Sequence, residues 1–155
     1  MKTNDAIRKE SPIPGYYWYD DNHKLHRDGA PACVFDNGGT QWYWHGMRHR
    51  TDGPAIEVQD TTRWYQHDKL HRVDGPAIVA VGGESWYYND KLHRLDGPAL
   101  SWALLNNTPV YAVNGKRYFS VADYNRAVAN WLSYKEVTRE DINQQIGHFR
   151  IVEWE

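Results

Sequence analysis

Trp42, Trp64 and Trp86 stand 22 residues apart, and each opens a near copy of the same segment. The run Trp86-Tyr87-Tyr88-Asn89-Asp90-Lys91-Leu92-His93-Arg94-Leu95-Asp96-Gly97-Pro98-Ala99 repeats Trp64 to Ala77 and Trp42 to Ala55. A looser copy runs from Trp18 to Ala32, with a Trp-to-His step of eight residues instead of seven, and a fading one begins at Tyr111. The period selects the supersecondary unit. At about 3.3 Å per residue, 22 residues make two short strands and two turns, whereas two packed helices need more than about 30. Each unit is therefore expected to be a β-hairpin.

Turn chemistry agrees with that reading. His45-Gly46, His67-Asp68, Asn89-Asp90 and Asn114-Gly115 follow the first strand, and Asn37-Gly38-Gly39 or Gly82-Gly83 precede the next. Alternation assigns the faces. After each Pro-Ala, one set of positions holds Cys33 and Phe35, Ile56 and Val58, Ile78 and Ala80, Leu100 and Trp102, which predicts a buried face. Cys33 reads as part of that core, because its counterparts are Ile56, Ile78 and Leu100. On the first strand Trp42, Trp64 and Trp86 share one face, and Tyr43, Tyr65 and Tyr87 the other. The position two beyond each Trp varies as Asp20, Trp44, Gln66 and Tyr88, and this edge is expected to reach solvent.

The chain divides into three parts on this pattern. Residues 1–15 read as a flexible polar arm, residues 16–119 as an array of five hairpins, and residues 120–155 as a helical cap and tail. Ser120 can cap a helix whose apolar stripe is Val121, Tyr124, Val128, Trp131 and Leu132, and the helix should plug the open end of the sheet. A second helix over Thr138 to Ile146 and a strand over Phe149 to Trp154 are expected beyond it. The predicted class is mainly β: an antiparallel β-hairpin repeat array, open or curled, with a C-terminal α-helical cap.

A net charge of −2 gives no global attraction to nucleic acid or anionic lipid, so no nucleic-acid partner is expected. No apolar run is long enough to span a bilayer or to serve as a signal peptide, and a cytoplasmic protein is expected. One cysteine excludes an internal disulfide framework. The load of eight Trp and eleven Tyr demands an aromatic core or an aromatic working surface.

The candidate chemistry lies in a recurring His-Arg-x-Asp: His49-Arg50-Asp52, His71-Arg72-Asp74 and His93-Arg94-Asp96. A shared metal fails on distance, since equivalent residues of stacked hairpins lie about 9.6 Å apart and zinc ligands sit about 2 Å from the ion. Neither a metal nor a cofactor is expected. Acid–base catalysis has suitable groups, but three copies in open turns lack the enclosure that perturbs a pKa, so no catalytic residue is assigned and a hydrolase is the weakest reading. As structure the motif works: Asp bonds the turn backbone, Gly supplies an unusual dihedral, Pro fixes the next, and Arg pairs with Asp. As a recognition ladder, Arg and His beside aromatic rings can grip a carboxylate or phosphate. Asp20-Asp21 reads as a solvated turn.

The pattern W-Y-x-x-[GD]-[KM]-x-H-R-x-D-G-P-A, over roughly Trp18 to Lys116, resembles a variant of the MORN repeat. Tyr65, Asp68 and His71, or Tyr43, Gly46 and His49, hold the places of that family's aromatic, turn and histidine, while Arg follows His where the family has Gly. The resemblance implies a single-layer stack of β-hairpins that serves as a scaffold, a docking surface or a membrane-associated module. Repeats of this form also resemble those of phage and giant-virus proteins. The expected function is a non-enzymatic binding module, a protein–protein inhibitor or adaptor of phage or mobile-element origin, acting as monomer or homodimer. The alternative is a sponge for a nucleotide or another small anion. Candidate binding residues under either reading are His49, Arg50, His71, Arg72, His93, Arg94, Trp44, Gln66 and Tyr88.

Overall fold

The computed structural model describes residues 7–9, 13–102 and 108–134. Its strands, in chain order, are β1 (Ile7–Lys9), β2 (Gly15–Tyr17), β3 (Cys33–Phe35), β4 (Thr40–Gln41), β5 (Tyr43–Trp44), β6 (Met47–Arg48), β7 (Ile56–Val58), β8 (Thr61–Arg63) and β9 (Tyr65–Gln66). There follow β10 (Lys69–Leu70), β11 (Ile78–Ala80), β12 (Gly83–Ser85), β13 (Tyr87–Tyr88), β14 (Lys91–Leu92), β15 (Leu100–Trp102), β16 (Tyr111–Val113) and β17 (Lys116–Tyr118), then the helix α1 (Val121–Tyr134). All pairings are antiparallel, and the sheets are open.

The repeat is therefore a hairpin array with a C-terminal helix, but its units are divided between two rows. One row is a nine-stranded sheet in the order β1-β2-β3-β4-β7-β8-β11-β12-β15. The other is a succession of two-stranded hairpins: β5-β6, β9-β10, β13-β14 and β16-β17. This corrects the expectation of five hairpins in a single sheet. The break falls at each Trp. Trp64 donates its amide to the Ala77 carbonyl in the large sheet and accepts the His71 amide in the short hairpin, and Trp42 and Trp86 do the same. Side chains of the two rows then pack on one another, with Ile56 and Val58 against Tyr65, Leu70 and Trp42. Alternation could assign faces within a strand, but not a corner between strands.

The corner explains the most buried residues. Ala32, Ala55, Ala77 and Ala99 are 0% exposed, because each lends its carbonyl to a Trp amide where the rows meet. Short-hairpin tips carry two residues of positive φ, as in His67 (47°) with Asp68 (65°) and Asn114 (50°) with Gly115 (84°), the backbone of a type I′ turn. Consecutive hairpins are stitched by backbone bonds: Arg50 to Tyr65, Arg72 to Tyr87 and Arg94 to Ala112 at 3.1 Å, and Asp90 to Leu70 at 2.9 Å.

At the start of the chain, Ile7–Lys9 lies within the residues expected to form an arm, yet it forms strand β1 against Gly15–Tyr17. At the other end, Ser120 Oγ accepts the Asp123 amide at 3.4 Å and opens α1. Tyr124 and Val128 are buried, and Ala127, Trp131 and Leu132 pack beside them, whereas Val121 is exposed and lies off the stripe. Among the described residues the helix seats on Leu95, Val113, Tyr111 and Tyr118, so it covers the last short hairpin and the preceding loop. The expected second helix at Thr138 to Ile146 and strand at Phe149 to Trp154 lie outside the described residues.

Candidate functional site

The repeated Arg is held on every side by its own unit. Its guanidinium carbon stands over the ring of the unit's Trp, at 4.1 Å for Arg50 on Trp42 and 3.9 Å for both Arg72 on Trp64 and Arg94 on Trp86. Nε donates to the Asp two residues on, at 2.9, 2.9 and 2.7 Å, and Nη1 donates to the Pro carbonyl four residues on, at 3.2, 3.4 and 3.2 Å. Arg50 also reaches Glu57, and its hydrogen bond holds the Asp52 carboxyl below the usual range.

The glycine of Asp-Gly-Pro-Ala has a different role from the one expected. Gly53, Gly75 and Gly97 are not among the residues of positive φ. A Cβ on Gly53 or Gly75 would instead stand 2.5 or 2.6 Å from the guanidinium carbon of Arg50 or Arg72. In these two units the loop lies close against the arginine, whereas a Cβ on Gly97 would stand 3.4 Å from the guanidinium carbon of Arg94. In the first unit the offset Asp28-Gly29-Ala30 puts Ala30 at that place. There Arg27 keeps Trp18 (3.8 Å) and the Pro31 carbonyl (3.4 Å), while Asp28 faces His26 at 3.4 Å.

The repeated His fastens one unit to the next. His26 Nδ1 accepts the amide of His45 (3.2 Å), His49 Nδ1 that of His67 (3.2 Å), and His93 Nδ1 that of Asn114 (3.0 Å). In the third unit His71 Nδ1 meets the Asn89 side-chain oxygen at 2.9 Å. Burial, and then the nearby charge of His67, lowers the pKa of His49. The expectation that all copies lie in open turns fails at His93, which is buried and packs its ring 5.0 Å from Trp131 of α1.

The side chains that vary between units face outward along the short hairpins. Register pairs Trp44 with Met47, Gln66 with Lys69 and Tyr88 with Lys91. Two of the three fill the junction with the previous unit: Trp44 lies 4.7 Å from His26, and Tyr88 lies 4.7 Å from His71 and 5.7 Å from His93. Gln66 is shorter. At its junction lies a groove of about 400 Å³, lined by Thr51, Asp52, Trp64, Gln66, His71, Arg72, Val73 and Asp74. The fold thus gathers Gln66, His71 and Arg72 into one concavity and leaves Trp44 and Tyr88 on flanking junctions.

Sequence reasoning passed over a cluster at the first junction. His26 stacks on His45 at 4.1 Å, Trp44 stands edge-on to both, and His45 Nδ1 donates to Asp20 at 2.7 Å. That bond is the main reason the Asp20 carboxyl is acidified, and the same carboxylate accepts the amides of Asn22 and Lys24. A His in the glycine-rich tip position was the signal available. Among the described residues no three His, Cys, Asp or Glu side chains converge as metal ligands would, and no helix is long and apolar enough to cross a membrane. No family model, curated protein or solved structure matches the chain.

Proposed function

We propose that the chain is a non-enzymatic protein-binding module, an inhibitor or adaptor whose repeated residues build the scaffold and whose unshared residues meet the partner. The observation that carries this reading is the division of labour inside each unit. His, Arg, Asp, Gly and Ala are spent on internal bonds, whereas Thr51, Val73, Trp44, Gln66 and Tyr88 differ from copy to copy and line the junctions on the outward side. Invariant contacts cannot encode specificity; the variable ones can.

The same geometry weighs against an anion sponge, because Arg50, Arg72 and Arg94 each have a carboxylate and a carbonyl already in hand and a ring against one face. The repeated sequence pattern from Trp18 to Lys116 is what supports reading the units as MORN variants, a docking architecture. Affinity capture with mass spectrometry tests the binding role. Wild type should enrich a defined protein that a Trp44→Ser, Gln66→Glu, Tyr88→Ser variant of equal stability loses. Identical capture by both would remove the variable row from the binding surface.

A further inference from the structure

Each short hairpin offers its outer edge to the next one. Where β6 meets β9, Arg50 donates its amide to the Tyr65 carbonyl at 3.1 Å, and the Arg48 carbonyl accepts the Asp68 amide at 3.0 Å. The Asp68 carboxylate completes the contact: it accepts the Arg48 amide at 3.2 Å and Nε at 2.6 Å, while the Arg48 guanidinium carbon lies 4.0 Å over the Tyr65 ring. One unit on, Leu70 accepts the Asp90 amide at 2.9 Å and donates its own to the Asp90 carboxylate at 2.7 Å. In the last hairpin the corresponding places fall to Arg117 and Phe119. Arg117 pairs with Ala112 in the register by which Leu92, paired with Tyr87, turns its carbonyl outward to Gly115. Neither the outward Arg117 backbone groups nor the Phe119 amide has a hydrogen-bond partner among the described residues.

The helix α1 lies on the face of this hairpin, against Tyr111, Val113 and Tyr118. Between β17 and the α1 flank of Asp123, Arg126 and Asn130 runs a groove of about 520 Å³. Its lining is cationic: Lys116, Arg117 and Arg126 stand against the single carboxylate of Asp123, which Arg126 approaches to 3.4 Å. Phe119, also on its wall, is fully exposed. An open strand edge of this kind invites a further strand. We propose that the edge of β17 is a docking site for an acidic segment of a partner protein, of the form aromatic-x-x-Asp at the entry to a tight turn. The seat of Tyr65 to Asp68 on Arg48 is its template within the fold. The aromatic residue gives its carbonyl to the Phe119 amide and its ring to the Arg117 guanidinium, and the Asp three residues on grips the Arg117 backbone with its amide and carboxylate. A neutral tip of the Asn114-Gly115 kind would leave that guanidinium without its counter-charge.

A labelled, backbone-cyclised peptide copying Trp64 to His71, the hairpin that seats on Arg48, is the probe, added to the full chain. Wild type should bind it, and either Arg117→Glu in the protein or Asp68→Asn in the peptide should weaken binding about tenfold or more, the loss of a charge-assisted hydrogen bond. A peptide with an ester in place of the Asp68 amide keeps the charge but cannot donate to the Arg117 carbonyl, and it should bind several-fold more weakly; a cationic patch acting by charge alone would not distinguish it. A photoreactive phenylalanine at position 119 should crosslink to the peptide. Binding indifferent to Arg117→Glu or to the ester, or no binding at millimolar peptide, would overturn the docking edge. Crosslinks from position 119 to residues 135–155 or to a second copy would assign the edge to this protein itself and overturn the partner. Trp44, Gln66 and Tyr88 belong to other hairpins, so loss of capture through them and loss of peptide binding at Arg117 are separate results, and either can fail alone.

Discussion

The guanidinium carbon of Arg72 stands 3.9 Å from the centroid of the Trp64 ring, and because the ring takes one face of the cation, Gly75 takes the other. A methyl group on Gly75 would sit 2.6 Å from that carbon, and on Gly53 2.5 Å from the carbon of Arg50, whereas on Gly97 it would stand 3.4 Å from that of Arg94. Gly53→Ala and Gly75→Ala should therefore make the guanidinium give way while it stays over its tryptophan, as Arg27 stays over Trp18 beside Ala30, at a cost of about 1 kcal/mol, the low end of an overpacking penalty. Gly97→Ala should cost distinctly less. Urea midpoints of the three variants give the ranking, and equal midpoints would show that the guanidinium is not confined.

Histidine 49 accepts an amide at Nδ1, and only an imidazole unprotonated at that nitrogen can do so. Burial, followed by the neighbouring His67, lowers its folded pKa below the unfolded 6.5, so the neutral ring is favoured on folding. The sign is then fixed: the stabilisation is fully present above about pH 6.5 and is lost as pH falls through the lower, folded value. His49→Asn keeps an acceptor near the same place but does not titrate. Its stability should fall less steeply than that of wild type between neutrality and mild acid, as followed by denaturant midpoint against pH, and parallel curves would remove His49 from the acid limb.

Much of this fold was written in the period. The spacing of Trp42, Trp64 and Trp86 gave hairpin units, the tips His67-Asp68 and Asn114-Gly115 gave their turns, and the stripe through Tyr124, Val128, Trp131 and Leu132 gave the helix. Hidden from the sequence was the corner at each Trp, because alternation reads one strand at a time while the corner depends on where the Trp amide and carbonyl find partners. The role of Gly75 was misread for a related reason: a glycine excused by dihedral and a glycine excused by a neighbour's approach look alike until the neighbour is placed. The groove was legible only as a difference, Gln66 between Trp44 and Tyr88, since its walls come from two units.

The alanines at the corner make a sharper test of the two-row architecture than the tryptophans do. Ala77 is 0% exposed and bonds its carbonyl to Trp64 at 2.8 Å, so no space exists for two further methyl groups. Ala77→Val should cost about 1–3 kcal/mol or more. Trp64 is only half-buried under Arg72, and Trp64→Phe, which keeps an aromatic face for the cation, should cost less than Ala77→Val. Were the units flat hairpins in one sheet, valine would be welcome at a strand position and the order of thermal midpoints would reverse.

Tyr124 joins the helix to the array through a single hydroxyl. The oxygen accepts the Gly97 amide at 3.1 Å and can donate to the carbonyl of Arg94 (2.9 Å) or of Gly97 (3.1 Å), and burial pushes its pKa from 10.0 to about 12. A raised folded pKa on an acid that is neutral when protonated means stability that is fully present below about pH 10 and lost as pH climbs through about 12. Tyr124→Phe leaves the ring against Tyr111 and Tyr118 but orphans the Gly97 amide and the Arg94 carbonyl, a loss of about 1–3 kcal/mol at neutral pH. The variant should also show less alkaline destabilisation than wild type, because the group that resists ionising is gone. Hydrogen exchange locates the effect: the amides of α1 and of Gly97 should lose protection together, while those of β7 and β8, several units away, keep theirs. If α1 exchanges as slowly in Tyr124→Phe as in wild type, the helix is held by its apolar stripe alone.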